Sequence, residues 1–436
     1  MQKVKGTIAP VERWGPLDGV RILDFSWVVA GPQATRILAD FGAQVIKVEY
    51  EGRPDPIRFS EPVPAPESVP SGAEGPVRSA MEGNLNRSGM FNNLNRNKLG
   101  FAVNAVHPTG LYLLKQLVAL SDVVVENFRP HVMESWGLGY REMVAINPGI
   151  IYVSVSGFGH AGRNATYSTW GPTAQALSGL TFMSGLPGEA PAGWGYSYMD
   201  HSAGYYGAAA ILMALHHRQC TGEGQYVDIS QVECGMVLTG PVLLDFSVNG
   251  RPYRRPGNPP GNRSKHPEVA PHGVYRCAGD DRWIALAVMT DEQWERLAAV
   301  MGRPPWATEE RFATMDARYQ HQDELDGFIG AWTCHQDARE LTHRLQDAGV
   351  AAGMVQNARD RLENDPQLRE RGFYAELEHP VLGRRRFEGM PARLSETVAA
   401  LRRPGPVMGQ DNAFVLGQIL GLNQQGIDTL AEEAVW

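Results

Sequence analysis

A strand, a tight turn, a helix and a second strand follow one another within the first fifty residues. The run VRILDF at 20–25 is typical of a buried strand, VAGP at 29–32 of a turn, and AQVIKVE at 43–49 of a second strand. Residues 33–41 between them have the composition of a helix. Two strands joined through a helix pair in parallel. This unit therefore predicts a parallel sheet with helices over its faces.

The same alternation continues along the chain, which extends the prediction to a whole domain. Strands are expected at 99–103, 122–126, 149–156 and 226–229, with helices at 108–120, 133–144 and 205–218 between them. The predicted fold class is α/β, with a Rossmann-like, doubly wound large domain. The Gly-x-Gly-x-x-Gly fingerprint is absent from the first turn, which disfavours a nicotinamide dehydrogenase.

The length of the chain, 436 residues, exceeds what one ordinary core holds, so more than one folding unit is expected. We predict a large α/β domain over 1–248 and a Pro-, Gly- and Arg-rich linker over 249–271. A small α+β domain follows at 272–348, and 349–436 is predicted as a return linker and the C-terminal part of the large domain. A long Pro- and Ser-rich loop is expected at 51–89.

The composition of the chain bears on whether it binds nucleic acid, membranes or metals. The formal net charge is −8 and no basic patch is evident, which argues against nucleic-acid binding. No apolar run reaches membrane-spanning length, and the N-terminus lacks the apolar core of a signal peptide. The four cysteines are widely spaced, which indicates neither a disulfide framework nor a metal site. We therefore expect a cytoplasmic protein without nucleic-acid or membrane partners, and without a metal.

A glycine-rich stretch at 184–204 stands directly before a helix of small apolar residues. Glycine lets a backbone approach a ligand closely or adopt positive φ, and loops on a rigid scaffold often carry chemistry. Trp194, Tyr196 and Tyr198 alternate like a strand. They are expected either to line a pocket for an aromatic or branched dicarboxylate or to belong to the core.

Seven segments, in order from residue 17 to about 290, carry a family resemblance: LDGVRILDFSWVVAGPQATRILADFGAQVIKVE, NLNRNK, VVVENFRPHVMESWGLGY, NPGIIYVSVSGFG, TAQALSGL, MDHSAGYYGAAAILMALHHRQCTGEGQYVDISQVE and APHGVYRCAGDDRWIAL. With these segments the chain resembles the family III CoA-transferases, which include formyl-CoA, carnitine and benzylsuccinate CoA-transferases and related acyl-CoA racemases. The resemblance implies exchange of CoA between an acyl-CoA and a carboxylic acid, with coenzyme A carried by the substrate. It also implies two subunits interlaced as a dimer.

The resemblance assigns eight positions to contacts with CoA. They are the turn residues Val29 and Ala30 at the adenine end, Val103 and Asn104 on the nucleotide, Asn127 and Phe128 on the channel, and Gly157 and Phe158 beside the pantetheine arm. Two basic positions of the family are Tyr50 and Ser135 here. Other cations are therefore expected to meet the phosphates, and the candidates are Lys47, Arg96, Lys98 and Arg129.

The family's catalytic aspartate is missing. Its position, twelve residues before Asp200, is occupied by Gly188. Three alternatives follow. In the first, the adjacent Glu189 is the nucleophile. In the second, this chain is a silent subunit that pairs with an Asp-bearing paralogue. In the third alternative, Asp200, His201 or Glu233 transfers protons, as in a racemase, isomerase or lyase. Asp200 could instead cap a helix. The remaining class of function is a non-enzymatic scaffold. The protein is accordingly expected as a homodimer or a hetero-oligomer.

Overall fold

The computed structural model describes residues 15–60, 85–433 and 435–436. Of the long loop expected at 51–89, residues 61–84 lie outside the described residues. The described residues form two compact units. The first contains the described residues of 15–181, 193–243 and 367–436, and the second contains residues 182–192 and 244–366.

The first unit is built on six parallel strands. In spatial order they are β3 (Leu99–Ala102), β2 (Gln44–Glu49), β1 (Arg21–Asp24), β4 (Val123–Glu126), β5 (Ile151–Ser156) and β6 (Tyr226–Ser230). Every neighbouring pair is parallel, for example Ile22 beside Val45 on one side and beside Val123 on the other. The predicted α/β fold class is confirmed. A hairpin of β12 (Tyr374–His379) and β13 (Gly383–Glu388) belongs to the same unit.

Seventeen α-helices occur in the described residues. In chain order they are α1 Ala30–Asp40, α2 Gly89–Leu94, α3 Pro108–Ala119, α4 Val132–Ser135, α5 Tyr140–Ile146, α6 Gly171–Leu177, α7 Leu180–Met183, α8 Tyr198–Thr221, α9 Gln231–Met236, α10 Gly240–Asn249, α11 Asp291–Val300, α12 Met315–Gln320, α13 Gln322–Thr333, α14 Ala338–Asp347, α15 Pro366–Glu370, α16 Asn412–Phe414 and α17 Gln424–Glu432. Shorter 3₁₀ or π turns lie at Pro56–Phe59, Val237–Thr239, Pro305–Thr308, Glu310–Phe312, Asp360–Asn364 and Val415–Ile419.

Helices cover both faces of the sheet. Because successive residues of a strand point to opposite faces, Ile22 packs in the cluster that contains α1 and α8, while Leu23 packs with α3. Leu416 and Leu430 from the C-terminal part of the chain complete the α3 cluster. The carboxyl ends of all six strands are thereby left at one edge, where open α/β sheets bind ligands.

The prediction of a single helix over 133–144 is wrong. The structure divides it into α4 and α5, since Gly137 between them has φ +71°, a left-handed conformation that a continuing helix cannot contain. Helix α8 is longer than predicted. It lies against α1, and Gly204 permits the contact because an added Cβ would meet Cγ of Gln33 at 2.5 Å.

The second unit has its own core. Its antiparallel sheet has the order β11 (Ala351–Met354), β10 (Trp283–Ala287), β9 (His272–Arg276), and a small ladder joins β7 (Ser264–Lys265) to β8 (Glu268–Val269). Ile284 and Leu286 of β10 are buried together with Trp294, Leu297 and Leu341 of the neighbouring helices. Strands followed by helices on one core give this unit an α+β character.

Candidate active site

The turn between β1 and α1 forms one wall of a cleft at the carboxyl edge of the first unit's sheet. The main chain of Trp27 is held by Asn127 at the end of β4: Trp27 N donates to Oδ1 at 2.7 Å, and Nδ2 donates to Trp27 O at 2.8 Å. Gly31 follows, and a Cβ there would lie 2.2 Å from Cβ of Ser26. The turn therefore needs glycine at this position to close against the sheet.

A cavity of about 550 Å³ opens above this turn. Of the residues expected to contact CoA, five line it: Val29, Ala30, Asn127, Phe128 and Gly157. The volume lies in the range of small-molecule and cofactor sites. The structure thus brings together residues that lie up to 128 positions apart in the sequence.

A second cavity, of about 190 Å³, adjoins the first, because Trp27, Arg53, Phe128 and Trp136 line both. Val103 and Asn104 lie in its wall. The ring of Phe128 stands edge-on to Trp27 at 5.1 Å and to Trp136 at 5.4 Å. This smaller cavity is an aromatic slot with a cation at its side.

Phe158 and Glu233 are placed differently from the cavity-lining residues. Phe158 is half-buried in an apolar cluster with Ala174 and Met199. Glu233 is exposed at the start of α9, where its N–H donates to Ser230 Oγ at 3.3 Å. The expectations for these two residues stay predictions.

Asp200 is buried in the wall of the larger cavity. It lies in the first turn of α8, whose N-cap is Ser197, so the alternative that Asp200 caps the helix is wrong. Gln231, which also lines the cavity, donates to Asp200 Oδ1 at 2.5 Å. Burial raises the pKa of the Asp200 carboxyl above its ordinary value. A buried carboxyl in a cavity wall is the kind of group that can serve as a general acid or base.

The cations proposed for the phosphates are mostly placed elsewhere. Lys47, Arg96 and Lys98 are fully buried, in ion pairs with Asp55 at 3.0 Å, Asp40 at 2.7 Å and Asp24 at 2.8 Å respectively. The prediction that these three residues bind the phosphates is wrong, because a buried carboxylate already neutralises the charge of each one. Arg129 is exposed and lines the larger cavity.

Arg53 was not recognised from the sequence. Its guanidinium lies 5.5 Å from the centre of the Trp27 ring, and the residue lines both cavities. The signal available in the sequence was its position shortly after β2, at the carboxyl edge where α/β sheets bind ligands.

A buried acid lies behind Phe128. Glu126 Oε2 accepts the N–H of Phe128 at 2.7 Å, and His160 Nε2 lies 3.2 Å from the carbonyl oxygen of Phe128. Burial raises the pKa of Glu126 to about 8. The two side chains hold the main chain of Phe128 from both sides.

Glu189 lies in the second unit, on a loop at 184–192. Its side chain is exposed, and the preceding Gly188 has φ +78°. Arg254, another residue missed from the sequence, donates to the carbonyl oxygens of Phe182, Ser184 and Glu189 at 3.0, 3.0 and 2.6 Å. The loop therefore has a defined shape that depends on one guanidinium.

The aromatic residues after this loop do not form a strand. Tyr198 begins α8, and the Trp194 ring stands edge-on to it at 4.7 Å. Tyr196 is half exposed and stacks on His201 at 4.9 Å. The core alternative is wrong for Trp194 and Tyr196, which are 45% and 51% exposed. Their alternation reflects the entry into α8 and not a pleated segment.

The structure also bears on membranes and metals. Of the helices in the described part of the chain, none combines the length and the apolar character needed to cross a membrane. Within residues 15–60, 85–433 and 435–436, no three His, Cys, Asp or Glu side chains are grouped as metal ligands would be.

Comparison with known proteins identifies the family. The model of CoA-transferase family III matches residues 17–412. Succinyl-CoA–D-citramalate CoA-transferase of Chloroflexus aurantiacus is 36% identical over 96% of this chain and 98% of its own length. The alpha subunit of succinyl-CoA–L-malate CoA-transferase of the same organism is 31% identical over 96% of this chain and 92% of that subunit. A CaiB/BaiF family protein from Brucella suis has a similar structure, with a TM-score of 0.81 and 28% identity over 93% of this chain and 99% of that one. The chain belongs to CoA-transferase family III, and the two relatives named above are CoA-transferases.

Proposed function

We propose that the two adjoining cavities of the first unit hold the CoA portion of an acyl-CoA. The nucleotide end lies in the aromatic slot, beside Val103 and Asn104 and near Val29 and Ala30. The pantetheine arm passes Gly157 toward Asp200. The observation that carries this assignment is that Asn127 and Phe128 line the same cleft as the β1–α1 turn.

The phosphates of CoA would meet Arg53 and Arg129. Both side chains are exposed and line the cavity. Arginine pairs with phosphate through a planar fork of donors, which suits this task better than a point charge does. Arg53 is further placed by its contact with the Trp27 ring.

The acyl donor we propose is the CoA thioester of a short dicarboxylic acid. The two relatives described above carry succinyl-CoA in their names, with citramalate or malate as the other acid. The support comes from these names and from the similarity over nearly the whole chain. Succinyl-CoA with citramalate is therefore the first pair of substrates to assay.

Glu189 is the proposed nucleophile. Its exposed carboxylate attacks the thioester carbonyl, so a C–O bond forms to give a mixed anhydride, and the C–S electron pair leaves with sulfur as CoA thiolate. The thiolate then attacks the glutamyl carbonyl, which releases the donor acid and leaves a glutamyl-CoA thioester. The acceptor carboxylate attacks this thioester, so a second mixed anhydride forms and CoA thiolate leaves. The thiolate then attacks the acceptor's acyl carbon, and the C–O bond that breaks releases the acceptor's CoA thioester and the Glu189 carboxylate.

This mechanism is tested by trapping. Borohydride or hydroxylamine added during turnover with succinyl-CoA should modify Glu189, which peptide mass spectrometry would locate. Modification of Asp200 in place of Glu189 would contradict the assignment. Incorporation of deuterium at the α-carbon without an acceptor acid would instead favour proton transfer through Asp200, whose buried carboxyl lines the cavity.

The partner-subunit alternative has its own support. Two relatives are named as the alpha and beta subunits of a succinyl-CoA–L-malate CoA-transferase, and the family resemblance implies that Gly188 stands at the position of the catalytic aspartate. A purified homomer that transfers CoA would exclude this alternative. Activity that appears only after an Asp-bearing paralogue is added would establish it.

We propose an interlaced dimer, located in the cytoplasm. Helix α10 has no buried residue, although Leu244, Phe246 and Val248 are apolar and 65%, 62% and 77% exposed. Met213 of α8 is 68% exposed. Exposed apolar side chains along one helix, as on α10, are typical of an interaction site. Free cysteines at 220, 234, 277 and 334 support a reducing compartment. Native mass spectrometry tests the assembly.

A further inference from the structure

Val28, in the wall of the larger cavity, has a main-chain conformation that its side chain disfavours. Its φ is +64°, in the left-handed region. For a β-branched residue this conformation is a genuine outlier, and such strain persists only where the surroundings impose it. Strained residues of this kind concentrate at functional sites.

Asp55 is hydrogen-bonded to the main chain of Val28. Its Oδ1 accepts the N–H of Val28 at 3.0 Å, and the carboxylate is fully buried. The neighbouring Trp27 is held separately by Asn127. The backbone of the turn is thus attached to two side chains from different parts of the sheet's carboxyl edge.

Lys47 stabilises the charge on Asp55. Its Nζ donates to Asp55 Oδ2 at 3.0 Å and also to the carbonyl oxygen of Ser26, directly before Trp27. Burial by itself lowers the pKa of Lys47, but Asp55, Asp24 and Glu49 together raise it above its ordinary value. Lys47 therefore remains charged, and the pair contacts the turn at both Ser26 and Val28.

We propose that Asp55 is a positioning residue for CoA: with Lys47, it holds residue 28 in the left-handed conformation and so sets the shape of the turn that contacts the nucleotide end. Asp55 is fully buried and does not line the cavity; it acts through Val28. This inference rests on the proposed function, since it assumes that CoA is the ligand of the cavity.

The test separates the hydrogen bond from Val28 N–H to Asp55 from the ion pair between Asp55 and Lys47. The double variant Lys47→Met/Asp55→Asn keeps an acceptor for the N–H groups of Val28 and Ile57, whereas Lys47→Met/Asp55→Leu removes it. Neither leaves an isolated buried charge, which would destabilise the fold by itself. The dissociation constant of CoA is measured by isothermal titration calorimetry, alongside the melting temperature of each protein.

We expect the variant without the acceptor to bind CoA about tenfold more weakly than the variant with it. Adding Val28→Gly to the weaker variant should restore most of the affinity, because glycine adopts positive φ without strain. A merely structural role of Asp55 would lower the melting temperature but would give no such rescue. Equal CoA affinity of the two double variants would overturn the inference.

A single variant keeps the test decisive if the double variants do not fold. Asp55→Glu retains the charge opposite Lys47 but displaces the acceptor, so CoA affinity should fall several-fold. The control is Asp40→Glu, which alters an equally buried, paired carboxylate at the far end of α1. Equal loss in both variants would contradict the inference. A wild-type protein that does not bind CoA would overturn the proposed function as well, whereas unchanged affinity in Asp55→Glu would overturn this inference alone.

Discussion

The guanidinium of Arg254 lies 2.6 Å from the carbonyl oxygen of Glu189, the residue we propose as nucleophile. The same guanidinium holds two further carbonyl oxygens of that chain segment, at Phe182 and Ser184. The main chain that carries Glu189 is therefore oriented by a side chain 65 positions away.

Replacing Arg254 by lysine should lower kcat for CoA transfer about tenfold or more, since an ammonium cannot reproduce three contacts made by a planar fork. CoA affinity should change little, because Arg254 contacts the loop and not the cavity residues. Steady-state kinetics and titration calorimetry measure the two effects. The matched control is Arg251→Ala, which removes an exposed pair with Asp245; an equal loss of kcat in the control would contradict the prediction.

Glu189→Gln should reduce transfer roughly 10³-fold or more, because the amide cannot form the anhydride. Introducing Gly188→Asp into this variant should restore part of the activity. A Cβ at Gly188 meets no atom within 4 Å, and aspartate tolerates the φ of +78° better than most residues. If Glu189→Gln retains full activity as a homomer, Glu189 is not the nucleophile.

The raised pKa of Glu126 predicts that the free energy of unfolding depends on pH. Its pKa is about 8 in the folded protein, above the ordinary value of 4.5, so the folded state binds its proton more tightly than the unfolded state. The stabilisation is complete below about pH 4.5 and is lost as the pH rises through 8. Glu126→Gln cannot ionise and should lack this dependence.

The measurement is urea unfolding of both proteins at pH 5, 6.5 and 8.5. The unfolding free energy of the wild type should fall relative to that of Glu126→Gln as the pH rises. A difference that stays constant over this range would show that Glu126 does not titrate between the two states as expected.

Arg53→Ala and Arg129→Ala should each weaken CoA binding about tenfold, through the loss of a charged contact with phosphate. The effect should shrink at high salt, because both side chains are exposed and screened. Dephospho-CoA, which lacks one phosphate group, should be less sensitive to at least one of the two variants. Arg384→Ala, on an exposed hairpin, provides the control, and a similar loss there would attribute the effect to net charge alone.

The parallel sheet and the family could be predicted from the sequence because both depend on local patterns. The strand–turn–helix order specifies parallel pairing, and the residues carried over from the family, such as Asn127 and Gly157, line the cavity that the fold forms. The break between α4 and α5 was missed, since helix composition alone does not reveal the positive φ at Gly137.

The roles of the charged residues could not be predicted in the same way. Lys47, Arg96 and Lys98 have the composition of phosphate ligands, but their carboxylate partners lie 8, 56 and 74 positions away along the chain. Whether a charge reaches solvent depends on which distant groups the fold brings beside it. The same holds for Arg53, whose contact with the Trp27 ring joins residues 26 positions apart in the chain.

The sequence by itself determined the alternation of strands and helices, the family membership and the absence of aspartate at position 188, because each is a property of local order and residue identity. Only the tertiary structure decided that Asp55 and Lys47 are hydrogen-bonded to the turn at Val28 and Ser26. It also decided that Arg254 is hydrogen-bonded to the loop of Glu189. The physical reason is that hydrogen bonds and burial depend on distances in space, which the fold sets between residues remote in the chain.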